Sequence, residues 1–248
     1  MIDIHAHILP GLDDGAPDMD TALAMAEMAV ESGVTAVVAT PHCNLPGRFV
    51  NYWDSFLHGE IETFQQTLQK SGIKLAIVSG MEVFGTLDTP ELLRKGKLAT
   101  LGGSRYLLIE FPFEGYAQQA TEILCAILAM GYRPVVAHPE RYRYTQDNPT
   151  LLNQWLDIGC LMQLNKGSLL GRFGRTAQML ALSMLNRGFA VAVASDAHSS
   201  FVRTTWMLEM WEFLCEEYSE QTAQLLLEDN PRNILRNVDI RMKEPDWF

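Results

Sequence analysis

Short runs of apolar residues, rich in Val, Ile and Leu, recur along the chain, and most of them are continuous rather than alternating with polar residues. A continuous apolar run of this length is typical of a parallel β-strand that is buried on both faces. The runs predict strands at residues 2–5, 34–40, 73–79, 106–111, 134–138, 160–165 and 189–195.

Helical patterns separate these runs, at residues 20–32, 54–71, 88–95, 116–130, 148–158 and 175–187, and residues 203–237 are expected to form two or three closing helices. Strand and helix therefore alternate about seven times, which predicts an α/β fold with a parallel sheet. A length of 248 residues suits one domain with a sizeable core, so we expect a single domain over residues 1–248.

The alternation alone fits both a doubly wound open sheet and a closed barrel. No glycine-rich phosphate loop follows the first strand, as an open dinucleotide-binding fold would require. Polar residues instead stand at the C-terminal end of nearly every predicted strand, which is where a barrel enzyme builds its active site. The sequence therefore favours a barrel with a site at the carboxyl ends of its strands.

Five of the six histidines fall at predicted strand ends, and only His58 lies elsewhere, in a polar helical stretch. His5 and His7 are two residues apart on the first strand, so they share a face and can bind one metal ion together. Further ionisable residues stand at or just after the other strand ends, and these are Asp13, Asp14, His42, Glu82, Glu110, His138, Asp196 and His198.

Any one of these side chains could be satisfied by a nearby backbone group. Burying the whole set at one end of a barrel would be costly without cations to compensate the charges. Nitrogen and oxygen ligands without thiolate suit Zn, Mn or Fe. The set therefore predicts a metal site.

Charge and cysteine content narrow the remaining choices. Lys and Arg number 19 against 30 Asp and Glu, and a net charge of −11 argues against nucleic acid or an anionic membrane as the main partner. The four cysteines form no CxxC pair and indicate a reducing compartment. No segment reaches the roughly 18 apolar residues of a membrane span, so we expect a cytoplasmic protein without membrane insertion.

Four segments together, HAHILPGLDDGA, TPHCN, HPERY and SDAH, resemble the PHP (polymerase and histidinol phosphatase) family. More narrowly, they resemble the CpsB/YwqE-type bacterial protein tyrosine phosphatases of capsule and exopolysaccharide systems. The resemblance extends from Met1 to about Asn237. It implies a distorted (β/α)7 barrel and a site for three divalent metal ions, with Mn, Fe and Zn as candidates.

The resemblance also implies a role for individual positions. One metal would bind His5, His7, Glu82 and Asp196; a second would share Glu82 and add Glu110 and His138; and a third would bind Asp14, His42 and His198. Asp13 is an alternative to Asp14, and the strand that carries Glu82, in GMEV, is a looser match than the other motifs. Arg141 and Arg203 match the arginines that bind the substrate phosphate.

The implied function is a metal-dependent protein tyrosine phosphatase that acts on the phosphotyrosyl tail of a bacterial tyrosine kinase. Aromatic residues in the expected loops could stack beside a phenyl ring. The same residues also suit barrel packing or a contact in a homo-oligomer, and they are Phe49, Tyr52, Trp53, Phe84, Phe113, Tyr116 and Phe173.

Three other functions compete with this interpretation. A small-molecule phosphomonoesterase, such as a histidinol-phosphate phosphatase, would share the barrel and the metals. An amidohydrolase also begins with HxH but commonly places a carbamylated lysine where this chain has Glu110. A cysteine phosphatase requires C-x5-R, and no cysteine here has that spacing; Cys43 comes nearest, with Arg48 one position too early.

Overall fold

The computed structural model describes residues 1–240 and 245–248. Its strands are β1 (Ile2–Ala6), β2 (Ala36–Ala39), β3 (His42–Cys43), β4 (Ala76–Ser79), β5 (Glu82–Phe84), β6 (Tyr106–Glu110), β7 (Arg133–Ala137), β8 (Leu161–Asn165) and β9 (Ala190–Ala194). Each of the seven predicted strands is present, and no bound differs by more than three residues from the one expected. The expected α/β fold with parallel strands is confirmed.

Helices connect the strands and close the chain. They are α1 (Met19–Glu31), α2 (Ser55–Lys70), α3 (Thr89–Arg94), α4 (Ala117–Ala129), α5 (Arg143–Asp147), α6 (Thr150–Asp157), α7 (Lys166–Leu169), α8 (Arg175–Asn186), α9 (Leu208–Glu217), α10 (Glu220–Gln224) and α11 (Asn230–Leu235). A π-helical turn, Leu225–Asp229, joins α10 to α11. Asp18 caps α1 because its side chain accepts a hydrogen bond from Thr21 N at 2.8 Å.

All strand pairs are parallel, and hydrogen bonding groups the strands into two sheets, ordered β1-β2-β4 and β3-β5-β6-β7-β8-β9. The short strands β3 and β5 were not predicted. They resume the courses of β2 and β4 after the interruptions Thr40-Pro41 and Gly80-Met81. Strands of two or three residues are too short to show an apolar pattern in the sequence. Their pairing sets His42 beside Glu82.

The first and last strands meet at their carboxyl ends. Ala6 and Ala197 form a parallel bridge. Asp196 N donates to His5 O at 2.8 Å, and His7 N donates to Ala197 O at 2.9 Å. These bonds bring the HxH segment and the SDAH segment side by side although 190 residues separate them.

Successive residues of a strand face two different apolar clusters, as strand geometry requires. On β6, Leu107 and Ile109 pack toward the helices, whereas Tyr106 and Leu108 join a smaller cluster between the strands. Glu110 continues the second face. The apolar interior therefore gives way to ionisable side chains at the carboxyl end of the strand.

Among the described residues, no helix combines the length and the apolar character that a membrane crossing requires.

Candidate metal centre at the strand ends

His5 and His7 both present a ring nitrogen to the carboxylates of neighbouring strands. His5 Nε2 lies 3.2 Å from Glu82 Oε2 and 3.4 Å from Asp196 Oδ1. His7 Nε2 lies 3.1 Å and 3.5 Å from the same two oxygens. Each of the four side chains is at most 1% exposed. The two histidines, which share a strand, thus converge on carboxylates delivered by two other strands.

Gln163 on β8 orients His5. The Gln163 amide donates from Nε2 to Leu164 O at 2.7 Å, so Oε1 faces His5 Nδ1 at 2.9 Å and accepts a hydrogen bond from it. When His5 is neutral, its proton is therefore held on Nδ1, and the lone pair of Nε2 is directed at a ligand. Sequence analysis did not identify Gln163, because a single amide in an apolar strand carries no distinctive pattern.

Asp13 and Asp14 have different surroundings. Asp13 Oδ2 accepts from His7 Nδ1 at 2.7 Å and from His42 N at 2.8 Å, and Oδ1 accepts from Gly15 N at 2.9 Å. Asp14 is 40% exposed and its Oδ1 lies 3.4 Å from His42 Nε2. Asp13 is thus occupied in positioning His7 and the loop, which leaves Asp14 as the freer carboxylate.

Gly15 permits the close approach of this loop to the first strand. A Cβ atom at Gly15 would lie 2.1 Å from His7 O and 2.5 Å from His7 Cβ, which no side chain can tolerate without moving backbone. The loop that carries both aspartates is therefore held against His7 by a glycine and by the hydrogen bond from Ala16 N to His7 O at 3.1 Å.

Glu82 is the central carboxylate of the centre. Its Oε2 lies about equally far from three histidines: 3.2 Å from His5, 3.1 Å from His7 and 3.1 Å from His42 Nδ1. Its Oε1 lies 2.9 Å from His138 Nε2. Glu110 Oε1 approaches His42 Nδ1 at 3.2 Å from the next strand. A carboxylate in such a place can bridge cations held by different histidines.

The two carboxylate oxygens of Asp196 have different surroundings. Oδ2 accepts from Asn165 Nδ2 at 2.6 Å and is paired with Arg141 Nη1 at 3.2 Å and Arg203 Nη2 at 2.5 Å. Oδ1 is buried, has no hydrogen-bond partner among the described residues, and faces His5 and His7. Asn165 was not identified from the sequence either.

Backbone strain accompanies two of these residues. His138 and Asp196 have φ angles of 37° and 49°, a left-handed conformation that non-glycine residues rarely adopt. His138 directly follows β7, and Asp196 stands two residues beyond the end of β9; both strands are largely buried. Strain of this kind persists where the surrounding structure holds a side chain in a required place, and such places are frequently functional.

The ligand atoms gather into three overlapping groups in which all atoms lie within 4.8 Å of one another. The groups are His5, His7, Glu82 and Asp196; His7, Asp14, His42 and His198; and His42, Glu82 and Glu110. Buried His42 Nδ1, His138 Nδ1 and Asp196 Oδ1 make no hydrogen bond among the described residues; the two carboxylates near His42 Nδ1 lie at ion-pair distance but without hydrogen-bond geometry. Converging nitrogen and oxygen atoms left without partners suit divalent cations.

The charged groups of the centre strongly shift one another's pKa values. Burial alone would lower the pKa of His5, but the Glu82 and Asp196 carboxylates raise it to about 9. Burial would raise the pKa of Glu82, yet His5 and His42 hold it well below its usual range. The carboxylates thus attract positive charge strongly. Divalent cations would compete with protons for the same atoms, as metal binding generally does.

A cleft of about 300 Å³ opens onto these groups. Arg141 and Arg203 both line it, together with Arg48, which sequence analysis considered only as part of a cysteine motif. Arg141 lies between two rings, with its guanidinium carbon 4.6 Å from the centre of Phe113 and 4.2 Å from that of Phe173. The two predicted arginines therefore stand together beside the carboxylate cluster.

The aromatic residues of the loops have divided roles. Phe84 and Phe113 line the cleft, Phe49 stacks on His42 at 5.9 Å, and Phe173 packs under the arginines. Tyr52, Trp53 and Tyr116 do not line this cleft. A phenyl ring in the cleft would therefore contact two of the seven predicted aromatics directly.

His58 and Cys43, which were not expected to take part in the chemistry, have no role in the metal centre. His58 is 57% exposed and pairs loosely with Glu62 at 3.7 Å. Cys43 follows His42 but is fully buried in apolar packing, and burial raises the pKa of its thiol to about 12. A thiol of that kind is not a nucleophile at neutral pH.

The sequence matches the family described as capsular polysaccharide synthesis, CpsB/CapC, over residues 1–236. It is 35% identical over 245 residues to the tyrosine-protein phosphatase YwqE of Bacillus subtilis (strain 168), covering 99% of this chain and 95% of the relative. It is 31% identical to the tyrosine-protein phosphatase CpsB of Streptococcus pneumoniae, covering 95% of this chain and 98% of the relative.

Solved structures agree with the sequence comparison. Crystallographic work on YwqE from Bacillus subtilis and CpsB from Streptococcus pneumoniae, described as unique metal-dependent tyrosine phosphatases, provides a chain that matches with a TM-score of 0.93 and 33% identity, covering 100% of this chain and 99% of that one. A lactonase from Listeria monocytogenes matches with a TM-score of 0.61 and 13% identity, covering 94% of each chain, and shares the fold alone.

Proposed function

The chain belongs to the CpsB/CapC family of capsular polysaccharide synthesis proteins, and on that premise we propose that it is a metal-dependent protein-tyrosine phosphatase of capsular or exopolysaccharide synthesis. One observation carries the proposal: three overlapping groups of potential metal-ligating side chains meet at one cleft, which Arg141 and Arg203 also line. Both relatives named above are tyrosine-protein phosphatases, and the match covers nearly the whole length of each.

Three divalent ions, of Mn, Fe or Zn, are proposed for the centre. One would be held by His5, His7, Glu82 and Asp196; a second by Glu82, Glu110 and His138; and a third by Asp14, His42 and His198. Asp14 rather than Asp13 is chosen because Asp13 already accepts three hydrogen bonds. When bound, such ions supply Lewis acidity and help water lose a proton near neutral pH.

We also propose that the parallel strands close into a distorted (β/α)7 barrel and that residues 1–248 form one domain. The hydrogen bonds between the ends of β1 and β9 support this closure. Residues 241–244 lie outside the described residues. A barrel would explain why ligands from six strands or strand ends meet at one place.

Arg141 and Arg203 would hold the phosphate. Each guanidinium offers several N–H donors in a planar fork that matches phosphate oxygens. Both now pair with Asp196 Oδ2, so they already stand beside the proposed ligands. As the phosphoryl group transfers, they would stabilise charge on its equatorial oxygens.

The leaving group is a phenol in this proposal. Its pKa of about 10 means that it needs less help from an acid than an alkyl alcohol does. Phe84, Phe113, Pro112 and Leu45 line the cleft and would contact the ring of the substrate tyrosine. These walls exclude water from the ring and favour an aromatic phosphate over a small polar one.

The proposed substrate is a phosphotyrosyl segment of a bacterial tyrosine kinase that controls polysaccharide export. A flexible kinase tail could bring one tyrosine at a time to an open cleft. We also propose that the phosphatase can form a homo-oligomer, with the aromatic loop residues named in the sequence analysis at the contact between subunits.

A substrate comparison tests this function. The metal-loaded protein is expected to hydrolyse a phosphotyrosyl peptide with a much higher kcat/KM than the matching phosphoseryl peptide or histidinol phosphate. A preference for histidinol phosphate would replace the tyrosine phosphatase with a small-molecule phosphomonoesterase. Absence of phosphatase activity, together with hydrolysis of a cyclic amide or lactone, would place the protein with the amidohydrolases.

A further inference from the structure

A second, smaller cleft adjoins the one that holds the proposed metal ligands. Both clefts are lined by Phe84, Phe111 and Pro112, so the two share a wall. Its volume is about 120 Å³, against about 300 Å³ for the first. Sites for small molecules usually span roughly 300–1,000 Å³, so the second cleft is too small for a separate ligand and large enough for one side chain.

The lining of this side cleft is mainly apolar. The first turns of α4 supply Ala120 and Ile123, and the rings of Phe84 and Phe111 also line the cleft. Neither glutamate that faces the metal groups, Glu82 or Glu110, lines it. A charged or strongly polar side chain would lose its hydration here without a compensating partner.

One polar group in the lining lacks a partner. Tyr144 lines the side cleft, and its hydroxyl is buried without a hydrogen-bond partner among the described residues. An unpaired buried hydroxyl costs free energy. Because this hydroxyl is itself inaccessible, Tyr144 presents no accessible hydroxyl to the side cleft, which leaves the lining apolar at this position.

The two clefts share a wall, so neighbouring residues of one peptide could occupy both. Phe84 stands two residues after Glu82, and Phe111 directly follows Glu110. An extended peptide advances about 3.3 Å per residue. A phosphotyrosine at the ligand groups would therefore bring a residue one or two positions away to the side cleft.

We propose that the side cleft is a specificity subsite that binds a medium-sized apolar side chain, of the leucine class, flanking the phosphotyrosine of the substrate. This proposal rests on the proposed phosphatase function. The subsite makes the rate depend on the peptide sequence, whereas the arginines and the metal ligands act on the phosphate group that all phosphotyrosyl peptides share.

The test uses phosphotyrosyl peptides in a glycine and serine frame, with a single leucine moved through the flanking positions one at a time. At one position, leucine is expected to raise kcat/KM about tenfold or more over glycine, the usual discrimination of an apolar pocket. The ratio of the leucine peptide to the glycine peptide is the readout, with p-nitrophenyl phosphate hydrolysis as the measure of intact chemistry.

Gln119 and Gln118 provide a matched pair of variants. Both are exposed residues of α4, but only Gln119 lines the side cleft. Gln119→Trp is expected to block the cleft and bring the leucine-to-glycine ratio close to one. Gln118→Trp, which adds the same side chain one residue away, is expected to leave the ratio as in the wild type.

The outcomes separate the two proposals. Equal rates for all peptides in the wild type, or an unchanged ratio in Gln119→Trp, would overturn the subsite and leave the phosphatase standing. Loss of the ratio in both variants would also overturn it, because the effect would then not be local to the cleft. Failure of the wild type to hydrolyse any phosphotyrosyl peptide would instead overturn the proposed function.

Discussion

The two ends of the parallel strands differ in how they treat their polar groups. At the amino ends, the chain satisfies most of its own donors: the Met1 amine bonds Gly33 O at 2.9 Å, and the Tyr106 hydroxyl donates to Val238 O at 2.7 Å, although Arg105 Nε lacks a hydrogen-bond partner among the described residues. At the carboxyl ends, buried atoms of His42, His138 and Asp196 are left without hydrogen-bond partners among the described residues.

This difference shows that buried polar atoms without hydrogen-bond partners are concentrated at the carboxyl ends of the strands. A buried polar atom without a partner costs about 1–3 kcal/mol, and more when it is charged. The amino ends need only hold the fold together, and they do so with ordinary hydrogen bonds. The carboxyl ends bear a cost that the fold does not require, which is explained if the missing partners are cations and a substrate.

The largest expected effect is at the carboxyl ends, from His5→Ala. Removing this nitrogen leaves Glu82 and Asp196 crowded without compensation. We expect kcat/KM to fall about a thousandfold, equivalent to about 4 kcal/mol of transition-state stabilisation. Metal content per protein should fall with it. The same substitution at the exposed residue His58 serves as the control and should change neither quantity; equal losses in both variants would contradict the map of the site.

A smaller effect is expected from Arg141→Lys. Lysine keeps the positive charge but loses the planar fork that matches two phosphate oxygens. We expect kcat/KM to fall about a hundredfold, as when one donor to a reacting oxygen is removed. The melting temperature should not change. Arg143→Lys, on an exposed pair with Asp147, is the control. A melting temperature that falls in step with activity would assign Arg141 to the fold.

Gln163→Leu should act on metal affinity more than on turnover. The variant removes the acceptor that fixes His5 in one tautomer, and losses of such outer partners commonly weaken metal binding about 10- to 100-fold. With saturating metal, kcat should return close to that of the wild type. Gln163→Glu, which keeps an acceptor at the same place, should bind metal more tightly than Gln163→Leu. The reverse order would argue that Gln163 only packs.

The smallest effect is expected from the thiols. Cys43 and Cys160 are buried and Cys125 is exposed. Alkylation of the native protein should therefore modify Cys125 and spare the buried pair, with activity retained. Mass spectrometry of the alkylated protein identifies the sites. Inactivation that tracks modification of Cys43 would reinstate a cysteine nucleophile.

The contrast between the two ends also explains what could be predicted from the sequence. His5 and His7 were predictable because strand periodicity places residues two apart on one face. The strands that carry Glu110, His138 and Asp196 were predictable because continuous apolar runs precede those residues. In these cases a local pattern determined the structure.

Other parts of the centre depend on contacts between distant segments. The pairing of His42 with Glu82 depends on two strands of two and three residues that follow breaks in longer ones. Phe173 packs against both Arg141 and Arg203, which lie about 30 residues away on either side. Gln163 and Asn165 resemble ordinary amides of a buried strand until the structure sets them beside His5 and Asp196.

A metal titration tests the central claim most directly. Protein stripped with a chelator and then supplied with increasing Mn is assayed for phosphotyrosyl peptide hydrolysis and for bound metal in the same samples. The metal centre proposed here predicts negligible turnover without metal, and turnover that rises with occupancy beyond one ion per chain. Full turnover by the stripped protein would contradict it.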